Sequence, residues 1–440
     1  MTAAQSAPPV KSAGLPLGVR LGLFLYGLAW RATLPGLKRN KRLAEGWSHR
    51  VLATGLPPQA DLWVQAASGG EAYLAWEMLR HLPEAFSGMS SSVPRVLVTT
   101  FTSQGLGVLE QAREELAGQV EILPAYFPFD LPSAMRRVLN AVRPKAMVLL
   151  ETELWPGLLG VCKQMGVPVL VINGRMTEKS AHGYTRLPWL WKAMAPARVL
   201  AVSTDDASRF ARVFGPEGVG VMDNIKFDRL RFDAPPCTPE IGPLLPPGAP
   251  FVVLGSVRKE EESDVLSMIR GLLSAKPGAV IGLFPRHMQR VCIWERLLGE
   301  AGIPFALRSE TTSPVARGTV LIGDVFGEMG AAFSLAAAVF LGGSLAPLGG
   351  QNFLEPLAFG VSPVTGPHWS NFAWVGENIF EHGLVLRAQD WQGALRGLLE
   401  RIDTPPDRTE IRNQAKSYAK SRQGGGQAAC QAVAEFLICA

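Results

Sequence analysis

The 440-residue chain is poor in the residues that would tie it to an oxidising compartment or to a structural metal. Its five cysteines (Cys162, Cys237, Cys292, Cys430, Cys439) are scattered, with no C-x-x-C pair and no metal-ligand spacing. That argues against a disulfide framework and a zinc site and fits a reducing cytoplasm. No apolar run reaches the roughly 20 residues that a bilayer crossing requires, and no internal repeat or low-complexity segment is present. Charge of one sign is scarce as well: 43 Lys plus Arg against 38 Asp plus Glu leave a formal +5, enough to steer anionic ligands without implying nucleic acid. With 47% hydrophobic and 18% charged residues, wholesale disorder is excluded and an α/β protein with buried parallel strands is favoured.

At this length two cores of about 200 residues each are expected. Short β-rich apolar runs alternate with segments of helical spacing, the pattern of repeated βα units. The first series is DLWVQA (61–66), RVLVTTF (95–101), AMVLLE (146–151), VPVLVIN (167–173) and RVLAVS (198–203). A second series, FVVLGS (251–256), AVIGLF (279–284), TVLIGD (319–324), AVFLGG (338–343) and VSPVTG (361–366), follows the proline-dense stretch 234–250, which suits neither a helix interior nor a central strand. We therefore expect two Rossmann-like domains, 47–233 and 251–410, joined by a linker at 234–250, followed by a helical tail at 411–440. Two such domains facing a cleft would present the carboxyl ends of their strands to ligands. Within the N-terminal segment 1–46, Leu21 to Trp30 reads LGLFLYGLAW between Arg20 and Arg31, with Lys38, Arg39, Lys41 and Arg42 next and no small-x-small cleavage site. A monotopic membrane-associated helix is the expectation, with a buried core helix as the alternative.

The candidate chemistry sits where strands end. Glu71 opens a helix after the turn Ser68-Gly69-Gly70, where it can act as a general base if the site is dry, or simply complement the helix dipole. Glu151 and Glu153 follow the third strand, and on extended backbone two acids one residue apart point the same way. They can serve as acid and base, orient a cation, or pair with a base such as Arg175; no His or Asp cluster beside them supports a metal. In GGSLAPLGGQNFLEPLAFG (342–360) the pair Gly349-Gly350 precedes a helix, so a phosphate can approach backbone amides there and Glu355, one turn inside, can accept ribose hydroxyls. Turns and close packing explain such glycines equally well. Arg286 and His287 after AVIGLF, and Lys226 before the linker, are either surface charges or partners for a departing phosphate.

These segments in order resemble the Kdo (3-deoxy-D-manno-octulosonate) transferase family over nearly the whole chain. The blocks are Ser68-x-Gly70-Glu71, Thr99-Thr100-x-Thr102, Tyr126-x-Pro128-x-Asp130, Glu151-Thr152-Glu153-Leu154-Trp155-Pro156, Asn173-x-Arg175 with Ser180, and Asn224-x-Lys226-Phe227-Asp228. Pro285-Arg286-His287 with Arg290, Asp324-x-x-Gly327-Glu328, Gly342-Gly343-Ser344, Gly349-Gly350-x-Asn352 with Glu355-Pro356, and Gly366-Pro367-His368 with Asn371-Phe372 continue the match.

The resemblance implies a GT-B architecture and an inverting, metal-independent transfer of Kdo from CMP-Kdo to a lipid A precursor, with no further cofactor. The enzyme would work on the cytoplasmic face of the inner membrane. Glu71 would be the base, with Glu151 and Glu153 beside it, and the first domain would take the lipid. Arg286, His287, Gly327, Glu328, Gly349, Gly350, Gln351, Asn352 and Glu355 would hold the donor. Asn173, Arg175, Asn224 and Lys226 would make phosphate or inter-domain contacts. Three blocks depart from the family pattern: Gln65 and Gln351 stand where histidine is usual, and Ser256 to Glu261 reads SVRKEE, losing a histidine and a glycine. Glutamine keeps the hydrogen bonding of a neutral imidazole but not its proton. These departures keep two alternatives in view, a different nucleotide sugar or acceptor and a membrane-bound non-catalytic homologue.

Overall fold

The computed structural model describes residues 14–86, 93–230, 232 and 241–438. Residues 234–240 of the expected linker, Cys237, Cys439 and the side chains of Lys41 and Arg42 lie outside that description. The chain divides into two compact units, Met1–Arg229 with Arg422–Ala440, and Leu230–Ser421.

The first unit is built on a seven-stranded parallel sheet: β1 (Leu62–Gln65), β2 (Arg95–Thr100), β3 (Glu121–Tyr126), β4 (Ala146–Leu150), β5 (Val169–Gly174), β6 (Arg198–Ala201) and β7 (Val219–Val221). Their order is β3-β2-β1-β4-β5-β6-β7, so the order reverses between β1 and β4. Side chains alternate between two cores, as the two-residue period of a strand requires. Leu62, Val64, Val148 and Leu150 enter one cluster, while Trp63, Met147 and Leu149 enter the other.

The helix Gly425–Ile438 completes the first of these clusters with Ala429, Cys430, Val433, Phe436 and Leu437. Its approach depends on glycine. A Cβ on Gly425 would lie 2.3 Å from the Asp223 carbonyl oxygen, and the Gly424 and Gly426 amides donate to the Asp228 carboxylate at 2.7 and 2.6 Å.

The helix Leu17–Leu37 belongs to the other face of this sheet. Val19 and Leu23 are buried in the second cluster, and Tyr26 donates its hydroxyl to Asp130 at 2.9 Å. Its outer side leaves Leu17, Leu21, Phe24, Leu25 and Leu28 exposed. Among the described residues no helix is long and apolar enough to cross a membrane.

The second unit repeats the design with β8 (Phe251–Val257), β9 (Val280–Pro285), β10 (Phe305–Leu307), β11 (Val320–Ile322), β12 (Ala338–Leu341), β13 (Val364–Thr365) and β14 (Leu386–Arg387). All pairings are parallel, in the order β10-β11-β9-β8-β12-β13-β14, and the reversal falls between β8 and β12. In open α/β sheets that reversal opens a crevice at the strands' carboxyl ends, where ligands bind.

Candidate active site

In the first unit the reversal between β1 and β4 brings Glu71 and the Glu151–Glu153 segment to the same edge. Ser68 caps the helix Gly69–Arg80, its hydroxyl oxygen accepting the Glu71 amide at 3.3 Å. The Glu71 carboxylate reaches back to accept the Ala67 amide at 2.8 Å and the Ser68 hydroxyl at 3.1 Å, so the cap and the first-turn acid hold each other. A carboxylate so placed is ordinarily acidified by the helix terminus. Here burial dominates, and with the charge of Glu153 and a smaller push from Glu151 it overrides the Ala67 and Ser68 hydrogen bonds, raising the Glu71 pKa to about 7. Glu71 is thus at once the first-turn acid of its helix and a buried carboxyl raised to about 7.

Glu153 is also pushed up, chiefly by burial, against a 2.8 Å hydrogen bond from the Trp155 indole and with the charge of Glu151 adding to it. Glu151 is different. Its φ of +54° ends the strand, and its carboxylate takes the Lys226 ammonium at 2.7 Å and the Arg175 guanidinium at 3.8 Å. The left-handed backbone at Glu151 breaks the extended alternation on which a shared direction for the two acids rested, so they hold separate partners: Glu151 faces cations and Glu153 faces Trp155. The Thr152 hydroxyl donates to the Arg175 carbonyl and ties the two loops.

Asn173 and Asn224 are buried and turned to the protein's own backbone. Asn173, at φ +55°, accepts the Ile225 amide at 2.9 Å, and Asn224 accepts the Lys226 amide at 3.0 Å. Together they hold the short turn that aims Lys226 at Glu151. Gln65, fully buried at the end of β1, accepts the Thr99 hydroxyl at 2.5 Å.

In the second unit the donor candidates cluster around the end of β12. Gly343, Gly349 and Gly350 all have positive φ, and a Cβ on Gly349 would lie 2.6 Å from the Asn371 amide. The Gly350 amide donates to the Gly343 carbonyl at 2.7 Å, and the Gln351 side chain lies against Gly343. Asn352 accepts the Leu354 amide at 3.1 Å and donates to Glu355 at 2.9 Å. Glu355 therefore lies in the first turn of the five-residue helix Leu354–Ala358, not one turn inside a longer helix. Arg286 and His287 are exposed just after β9, Gly327 has φ +89°, and Glu328 is buried against Arg308 at 2.8 Å.

Two residues quoted only as parts of motifs turn out to organise these sites. Asp130 is buried and accepts the Tyr26 hydroxyl and the Gly157 and Leu158 amides at 2.9, 2.7 and 2.7 Å. Burial outweighs those bonds and pushes its carboxyl up to about 7. It thereby fixes the start of the helix Pro156–Met165 directly after Glu153. Glu261, inside the altered SVRKEE block, accepts four amides: Arg258 at 2.9 Å, Gly343 at 2.5 Å, and Ser344 and Leu345 at 3.3 Å each. It locks the ends of β8 and β12 together, and burial is the first cause that raises its pKa.

The fold is shared with solved structures. A glycosyltransferase from Rickettsia africae ESF-5 superposes with a TM-score of 0.57 at 11% identity, over 86% of this chain and 99% of that one. A UDP-GlcNAc 2-epimerase from Neisseria meningitidis gives 0.51 at 11% identity, over 86% and 99%. Two Rossmann-like units of this kind define a GT-B-type protein. The model of the family 3-Deoxy-D-manno-octulosonic-acid transferase (kdotransferase) matches residues 41–229. The 3-deoxy-D-manno-octulosonic acid transferase of Bordetella pertussis is 31% identical over 441 residues, covering 95% of this chain and 100% of that protein. That of Haemophilus influenzae (strain ATCC 51907 / DSM 11121 / KW20 / Rd) is 30% identical, covering 82% and 83%. The chain belongs to the 3-deoxy-D-manno-octulosonic acid transferase family and is a glycosyltransferase, which sets aside the non-catalytic alternative.

Proposed function

We propose that this enzyme moves Kdo from CMP-Kdo to a sugar hydroxyl of a lipid A precursor, with inversion and without a metal ion or other cofactor, at the cytoplasmic face of the inner membrane. The observation that carries the reading is the Glu71 carboxyl, buried beside Glu153 and raised to about 7, where a general base works best at neutral pH. Glu71 takes the proton of the acceptor hydroxyl as that oxygen bonds to the anomeric carbon of Kdo. The bond from that carbon to the phosphate oxygen breaks, and its electron pair leaves with CMP. Arg286, His287 and the glycine-rich turn Gly349-Gly350 receive the nucleotide and its developing charge, with Gln351, Asn352, Glu355, Gly327 and Glu328 shaping that side. Lys226 and Arg175 pair with Glu151, which leaves Glu71, beside Glu153, as the carboxyl raised toward neutrality. The exposed apolar face of the helix Leu17–Leu37 supports attachment to the bilayer that holds the acceptor.

Purified full-length enzyme incubated with CMP-Kdo and a tetraacylated lipid A precursor should yield a product heavier by one or more Kdo residues, at a rate unchanged by EDTA. No mass gain with this donor, alongside transfer from another nucleotide sugar, would overturn the donor assignment. Loss of activity in EDTA, restored by a divalent cation, would overturn the metal-free mechanism.

A further inference from the structure

A second group of basic side chains lies outside the carboxylate site. The short helix Glu178–Tyr184 and the turn after it line a pocket of about 430 Å³ with Glu178, Lys179, His182, Gly183 and Arg186. Its single acid is already neutralised: Glu178 accepts from Arg212 at 2.7 Å and Arg209 at 3.2 Å, which hold its carboxyl down to about 2. Lys179 and Arg186 are exposed and form no ion pair among the described residues. The pocket therefore carries uncompensated positive charge.

What borders this pocket is apolar. Leu187 and Trp189, the residues after Arg186, are 48% and 51% exposed. Trp189 reaches the N-terminal helix, where a Cβ on Gly18 would lie 3.8 Å from its ring. The exposed residues Leu17 and Leu21 flank that contact, so one surface runs from the apolar face of the N-terminal helix over an interfacial tryptophan to the basic pocket. On its other side, Tyr184 closes the same short helix and turns inward, its ring edge-on to Trp191 in the core cluster that also takes Trp155, the partner of Glu153.

We propose that this pocket seats the phosphate of a lipid headgroup embedded in the bilayer on which the N-terminal helix rests, holding the acceptor at the membrane. The inference rests on the reading of the first unit as the acceptor side. Charge complementarity names the occupant: two free cations and a histidine recognise a phosphate, and the apolar rim recognises the acyl region of a lipid rather than a soluble ester.

Co-sedimentation of the full-length protein with phosphatidylcholine vesicles, with and without phosphatidate, tests it. The double variant Lys179→Gln, Arg186→Gln should lose roughly 30-fold in affinity for phosphatidate vesicles, the factor two basic residues carry near an anionic surface. It should bind pure phosphatidylcholine as the wild type does, because the apolar face is untouched. If the double variant melts early, Lys179→Gln alone, losing roughly fivefold, serves instead. Equal binding of variant and wild type to phosphatidate vesicles would overturn the proposal. So would calorimetric binding of inorganic phosphate as tight as that of phosphatidate, which would make this a soluble-phosphate site. Kdo transfer by the wild type to a detergent-dispersed acceptor is a separate arm: its failure with the vesicle results intact removes the donor assignment and leaves the headgroup site standing.

Discussion

Replacing Glu71 by glutamine should trade activity for stability, and the trade should depend on pH. Moving a carboxyl from 4.5 to about 7 costs its charged form roughly 3 kcal/mol. Because the folded-state pKa is raised, folding favours the protonated carboxyl. That contribution is full below 4.5 and is lost as pH rises through about 7. Glutamine mimics the protonated state at every pH. It can still accept the Ala67 amide, but it disturbs the Ser68 hydrogen bond, an offset of about 1 kcal/mol. At pH 5 the variant should therefore be slightly less stable than the wild type, and at pH 8.5 about 2 kcal/mol more stable. Urea denaturation at the two pH values measures the difference. Over the same range, transfer by the wild type should rise with an inflection near 7, while the variant runs flat and ~10²- to 10⁴-fold slower. A stability difference that does not change with pH would refute the burial argument. A near-normal rate at saturating substrates would make Glu71 a cap and nothing more.

Asp130→Asn should cost about 1–3 kcal/mol by chemical denaturation, since an amide NH₂ must then face one of the donors that the carboxylate now accepts. Glu261→Ala should remove at least ~3 kcal/mol from the second unit's unfolding transition by stranding buried amides of the Gly343–Leu345 turn, and it should weaken CMP binding measured by calorimetry. The triple change Phe24→Ser, Leu25→Ser, Leu28→Ser should reduce vesicle partitioning at least roughly tenfold without altering the melting temperature, because those side chains are exposed. Leu23→Ser, by contrast, should lower the melting temperature, because Leu23 is only 5% exposed.

The ten strands legible in the sequence are all present, and the four that were missed are the outermost of each sheet: β3 and β7 in the first unit, β10 and β14 in the second. An edge strand covers less of itself and so lacks the unbroken apolar run that marks a central one. β3, reading EILPAY, even carries Pro124, which an edge tolerates because one side of its ladder is unpaired. At the site, the turn Ser68-Gly69-Gly70 with Glu71 opening the next helix was legible, since that feature is local. The pKa of Glu71 was not, because burial and the charge of Glu153, 82 positions away, are tertiary effects. The same holds for Lys226 on Glu151 and for Glu261 on the Gly343–Leu345 turn. The left-handed residues Glu151, Asn173 and Ser256 at the ends of β4, β5 and β8 leave no compositional mark, since none is glycine.

The helix Gly425–Ile438 gives the chain an unusual order of assembly. During synthesis an N-terminal domain ordinarily folds first, as soon as it clears the ribosome. Here the first unit contains residues on both sides of the second in sequence. Its β1 and β4 side chains must wait for Val433 and Phe436 to be translated before one face of the sheet is covered. The second unit, complete by Ser421, can close without that helix, while the first unit's sheet keeps an apolar face open until the helix docks. Truncation before Gly425 should therefore yield a chain whose second unit resists protease and whose first unit does not, although every acid of the carboxylate site would still be present.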